Sequence, residues 1–245
     1  NHGYVACQII LLYALRLHLR GFRCGAADLF FLALSLVAVF LTRSRAGFAC
    51  MALLATIYLV RNMLHNPLIL IGGATVAVMG LVVADLASFG SLEVFERQVT
   101  AFQFYDKENL SGRDEMWAAR LGTLNQQVHF WFIGRGFGTA SEFGDESGLH
   151  SHNLALHVIS ETGIIGLALT AWLWWVLMGQ LWHIPCKGRG LFWGSAVLLL
   201  FSLSYEVFYP IPAMQHFLAF FAGAVAVALR SEDEELHGDF VGGDR

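Results

Sequence analysis

The chain has 245 residues, of which 56% are apolar and only 14% charged, with a mean hydropathy of +0.57. A soluble domain carries roughly one-quarter charged residues, so this composition excludes an ordinary water-soluble globule and points to lipid. The net charge of −4 says little by itself, because an acidic tail and an acidic loop dominate it; the distribution of charge along the chain is more informative.

A helix rising 1.5 Å per residue needs about 17–25 apolar residues to cross about 30 Å of hydrocarbon. Seven candidate spans meet or approach that length: Gly3 to Leu19, Ala26 to Thr42, Gly47 to Val60, Leu68 to Phe89, Asn153 to Leu181, Leu191 to Phe208 and Ile211 to Leu229. The expected fold is therefore all-α, a polytopic transmembrane bundle of about seven spans spread over residues 1–230. The chain opens on Asn1 and turns apolar by Val5 with no charged n-region or cleavage site, and so reads as a segment of a larger protein. Cys7, Cys24, Cys50 and Cys186 are scattered singly, without metal-ligand spacing, which points to neither a disulfide framework nor a zinc site.

Basic residues in short connections stay on the cytoplasmic side of a membrane. Arg16, Arg20 and Arg23 flank the first connection, Arg61 the third, Lys187 and Arg189 the fifth, and Arg230 follows the last span. Counting crossings puts all four groups on one side, which places residues 90–151 outside as a helical external loop. Residues 231–245, rich in acid and glycine, read as a disordered cytoplasmic tail.

Polar chemistry meets the outer side in three places. The first is Thr42-Arg43-Ser44-Arg45-Ala46-Gly47, the tip of an outward hairpin whose short arms leave two arginines at or just beneath the interface. Such arginines either snorkel to lipid phosphates or meet an anion. The second is Ser111-Gly112-Arg113-Asp114, a helix N-cap with a capping-box partner. Beyond it Trp117, Leu121, Leu124 and Val128 form one apolar stripe, and Arg113 and Arg120 share a face. That face is either solvated and ion-paired or turned to substrate.

The third place is His150-Ser151-His152-Asn153, where the external loop re-enters the membrane and the fifth span begins. A histidine there either caps the helix or acts as a base near neutral pH. Metal binding by His150, His152 and the nearby acids has weak support, because His-x-His stands without a second ligand pair at helical spacing. Deeper in the same span, Glu161 requires a partner or a cavity, and His157 lies four residues before it.

His152-Asn153 is followed, nine residues later, by Gly163-Ile164-Ile165-Gly166. This pattern resembles the His-Asn-x9-Gly-x-x-Gly signature of O-antigen ligases and the related O-antigen and exopolysaccharide polymerases. It is joined in the family's order by Ser44-Arg45-Ala46-Gly47, by Ser111-Gly112-Arg113 with Trp117, and by Ile133-Gly134-Arg135-Gly136-Phe137-Gly138. The resemblance covers roughly Ala26 to Val176, and because such proteins usually have ten or more spans, the chain looks like their C-terminal portion.

The resemblance implies a metal-independent, inverting transfer from an undecaprenyl-pyrophosphate-linked glycan, with no cofactor. The acceptor is a hydroxyl of lipid A core, of a growing polysaccharide or of a protein. His152 is then the base and Arg45 and Arg113 the pyrophosphate clamp, while Arg43, Arg120, Arg135 and Asn153 are further substrate-binding candidates. The partners are those lipid-linked substrates and the bilayer, with no nucleic acid. A small-solute transporter is the alternative, but transporters put ionisable residues near the midplane, whereas here Asp85, Tyr205 and Glu206 gather at outer ends.

Overall fold

The computed structural model describes residues 2–22, 25–63, 78, 80–82, 85, 113–139, 152–184, 189–204, 208 and 215–227. Among them every regular element is a helix: α1 (His2–Arg20), α2 (Ala26–Leu41), α3 (Arg45–Met63), α4 (Arg113–Leu124), α5 (Val128–Ile133), α6 (Leu154–His183), α7 (Gly190–Phe201) and α8 (Gln215–Val227). The expected all-α class is therefore observed. Most of the fourth span, most of the external loop and the acidic tail lie outside the described residues.

The core forms where apolar residues at helical spacing face one another. On α1 these are Ala6, Ile10, Ala14 and Leu17, on α3 Met51, Leu54 and Tyr58, and on α7 Leu191, Leu198 and Phe201, all buried. Lipid offers helices no hydrophobic drive to associate, so close packing of small residues carries the contact. Gly194 of α7 leaves no room for a side chain against Ala14 of α1, and Gly190 presses on Leu17 and His18. These contacts bring the start of α7 to the end of α1, and the two helices run antiparallel.

The structure departs most from the sequence reading at two spans and at the loop stripe. α7 stops at Phe201, where Ser202 takes the cap and its amide bonds to the Leu198 carbonyl at 2.9 Å, well short of the expected Phe208. The stripe expected from Trp117 to Val128 is broken by a turn at Asn125 and Gln126, which buries Leu124 and leaves Val128 exposed at the head of a separate helix.

The fifth span is present as the apolar helix α6, but with a break that hydropathy does not show. α6 is broken at Gly163, whose φ of 69° and ψ of −170° are not helical. The segment before the break is mostly buried, with Leu154, His157, Val158, Ser160 and Glu161 all inside. The segment 164–183 after it exposes Leu169, Trp172, Leu173 and Trp175. That outer piece is about 30 Å long, the thickness of the hydrocarbon, and is the membrane-length part of the helix. Its exposed apolar side chains, among the described residues, suit contact with lipid.

Candidate functional site

The tip between α2 and α3 is built by two hydroxyls. Thr42 Oγ1 donates to the Val39 carbonyl at 2.6 Å and accepts from the Ser44 amide at 3.3 Å. Ser44 Oγ accepts from the Gly47 amide at 3.2 Å, which makes Ser44 the N-cap of α3. Both hydroxyl residues are buried, and the turn between them holds Arg43 in the left-handed region at φ 57°. Arg45 opens α3, and the two arginines are half-buried. A side chain at Gly47 would meet Ala6 Cβ at 2.6 Å, so this tip sits against the beginning of α1.

The His152 region is fixed from two sides. Asn153 Oδ1 accepts from the Leu156 amide at 3.0 Å, so the N-cap of α6 is the asparagine and not the histidine before it. The Leu154 amide donates to the Ser202 carbonyl at 2.8 Å, which ties the start of α6 to the end of α7. His152 itself is half-buried with φ 49°, again left-handed. Among the described residues only Phe22, Arg43 and His152 combine a positive φ with a side chain. Such conformations cost about 1–3 kcal/mol and collect at functional sites.

The helix contacts show which candidates share an end of the bundle. α3 begins where α1 begins, α7 begins where α1 ends, and α6 begins where α7 ends. Arg43, Arg45 and His152 therefore lie at one end. Arg16, Arg20, Arg61 and Arg189 lie at the other, where Arg61 stacks 4.7 Å over Phe22 and Arg189 4.3 Å over Trp182.

Below His152, His157 Nε2 stands 3.4 Å from Glu161 Oε1, with both side chains buried, so the i,i+4 partnership read from the sequence is present. Two residues further, the break at Gly163 turns two carbonyls away from the helix. The turn after α5 takes them up: the Arg135 amide donates to the Ser160 carbonyl at 3.0 Å and the Gly136 amide to the Glu161 carbonyl at 2.9 Å. The fit is reciprocal. A Cβ on Gly134 would run into the Glu161 backbone, and a Cβ on Gly163 into the Phe132 backbone, while both residues have positive φ. Arg135 is thus placed by its backbone, and its guanidinium lies 5.6 Å from the Phe130 ring centroid.

Arg120 is buried on α4, which packs against α5 and α6, so it does not lie on a solvated face. Arg113 opens α4, but its side chain, like Ser111, Gly112 and His150, lies outside the described residues. Sequence reading did not find Ser202, which caps α7 and receives α6, nor the interlock of Gly134 with Gly163. An isolated glycine within an apolar helix is the available signal for the latter.

An apolar cleft of about 750 Å³ runs along α6. It starts at Leu154 and Phe137, passes Thr162 and Gly166 at the break, and reaches Leu177, with Leu218 and Phe221 of α8 and Phe208 as the facing wall. Its upper end is thus two residues from His152.

No curated protein and no solved structure matches the chain. A family model described as O-antigen ligase matches residues 30–171, a stretch that includes the Arg43–Arg45 tip, α4, the Gly134 turn, His152 and the Gly163 break. That match spans more than half of the chain, carries every candidate residue and agrees with an all-helical molecule bearing a membrane-length apolar helix: the chain belongs to the O-antigen ligase family.

Proposed function

We propose that this protein transfers a glycan from an undecaprenyl-pyrophosphate carrier to a hydroxyl acceptor, at the periplasmic face of a bacterial inner membrane, by inverting displacement without a metal. The observation that carries the reading is the apolar cleft ending two residues from His152, at the end of the bundle that also bears Arg43 and Arg45. A polyprenyl tail suits such a cleft, and a pyrophosphate at its mouth suits arginine, whose planar donors stay charged at any working pH.

His152 removes the proton from the acceptor hydroxyl as its oxygen attacks the anomeric carbon opposite the leaving group. The bond from that carbon to the pyrophosphate oxygen breaks, and undecaprenyl pyrophosphate departs as an anion that needs no proton. Arg45 and Arg113 stabilise the charge that grows on it, where fixed donors are most effective. Arg43, Arg120, Arg135 and Asn153 hold the substrates or the loops that hold them. The acceptor is lipid A core in a ligase reaction and the growing polysaccharide in a polymerase reaction.

The test is incubation of the protein in membranes with an undecaprenyl-pyrophosphate glycan and lipid A core, with and without EDTA, followed by assignment of the new anomeric linkage. Transfer to lipid A core, or lengthening of the lipid-linked glycan, with inverted configuration and no loss in EDTA is the expected result. Retained configuration or abolition by EDTA would contradict the mechanism, and absence of both products would contradict the function.

A further inference from the structure

The opposite end of the bundle carries charge that the transfer chemistry does not use. Arg16 Nη2 lies 2.7 Å and Arg20 Nε 3.6 Å from the same oxygen, Oδ1 of Asp28, in the first turn of α2. Asp28 is 4% exposed, and its second oxygen, Oδ2, is buried and meets no hydrogen-bond donor among the described residues. Arg16 also stacks 3.9 Å over the Phe31 ring, which fixes its guanidinium at the seam between α1 and α2. Two guanidiniums thus face one carboxylate, and the surplus charge is presented by Arg20, whose side chain is 53% exposed.

Beside this cluster is an apolar cleft of about 390 Å³ between α1 and α2, with Arg16 and Phe31 at one end and Ile9 and Ala38 at the other. It is about 10 Å long by helical rise. Leu12 and Leu34 on its rims are half exposed, as lipid-facing residues are. A hydrocarbon slot with a cationic end matches an anionic phospholipid: a fatty chain for the slot, and a phosphate for the exposed Arg20 and for Arg16 at the slot's end. A zwitterionic lipid would bring an ammonium to a site already rich in positive charge, and free phosphate would leave the slot unfilled.

We propose that the seam of α1 and α2 is a binding site for one anionic phospholipid, with phosphatidylglycerol as the fitting headgroup. The site rests on the membrane reading of the chain and not on the transfer reaction. It is tested with the intact protein in nanodiscs of equal phosphatidylglycerol and phosphatidylethanolamine, by the mass of lipid retained on release into the gas phase. One phosphatidylglycerol is expected to stay bound in preference to phosphatidylethanolamine, with inorganic phosphate unable to displace it.

Arg20→Gln, which leaves the Arg16–Asp28 pair in place, is expected to lower retention about fivefold, the equivalent of about 1 kcal/mol for one arginine at an anionic lipid surface. Leu34→Trp, which fills the slot, is expected to abolish retention, while glycan transfer by both variants stays at the wild-type level. Equal retention of the two lipids, displacement by phosphate, or retention unchanged in both variants would overturn the proposal. Because lipid mass and glycan transfer are read separately, failure here is distinguishable from failure of the proposed function.

Discussion

Arg43 and His152 hold side chains in left-handed backbone, a conformation that costs about 1–3 kcal/mol wherever Cβ is present. Glycine removes that cost, so His152→Gly is expected to melt no lower than the wild type while transfer falls about 10²–10⁴-fold, the usual contribution of a general base. A parallel loss of thermal stability would instead make His152 a packing residue. Asn153→Ala is expected to lose about 1 kcal/mol of stability by removing the N-cap, with Asn153→Ser largely restoring it in the same thermal measurement. The sequence marks these residues as candidates by their types and order, arginines to meet an anion and a histidine to take a proton. It does not reveal their backbone angles, because those are imposed by the Thr42–Ser44 hydroxyl pair on one side and by Asn153 and Ser202 on the other.

At the scale of elements, the break in α6 is the feature that positions the candidate base. The buried segment 154–162 is tied to α7 at its start and to the turn after α5 at its end, so His152 immediately precedes a short helix held at both ends. Gly163→Ala or Gly134→Ala should drive a methyl into the opposing backbone and release the bonds from Arg135 and Gly136. The expected cost is about 2–4 kcal/mol for two buried backbone bonds, read as a lower melting temperature and as faster amide exchange at residues 135 and 136. Unchanged exchange at those amides would contradict the interlock. Hydropathy runs through Gly163 without a signal, since Ile164 and Ile165 continue the apolar run, and only the contact with α5 reveals why the helix turns. The same limit explains the misread stripe from Trp117 to Val128: periodicity continues across Asn125 and Gln126, while the helix does not.

Across the whole molecule, Arg16, Arg20, Arg61 and Arg189, the described members of the arginines expected together on the cytoplasmic side, are found at one end, and the Arg43–Arg45 tip and His152 at the other. Charge in short connections was readable because each short loop must emerge at one end or the other of an up-and-down bundle. With the native cysteines replaced, Arg43→Cys is expected to react with a membrane-impermeant thiol reagent in intact spheroplasts, and Arg61→Cys only after the membrane is opened. The reverse pattern would invert the molecule and remove the periplasmic site.

The most direct test of the base-and-clamp chemistry is a single-turnover transfer with preloaded undecaprenyl-pyrophosphate glycan, comparing wild type with His152→Ala, Arg45→Ala and Arg113→Ala at equal expression. The wild-type rate is expected to fall as pH drops and the imidazole takes a proton; His152→Ala should lose at least a hundredfold and lose that acid limb, whereas the two arginine variants should be slowed but keep it. Transfer at the wild-type rate by His152→Ala, with the same dependence on pH, would contradict the mechanism.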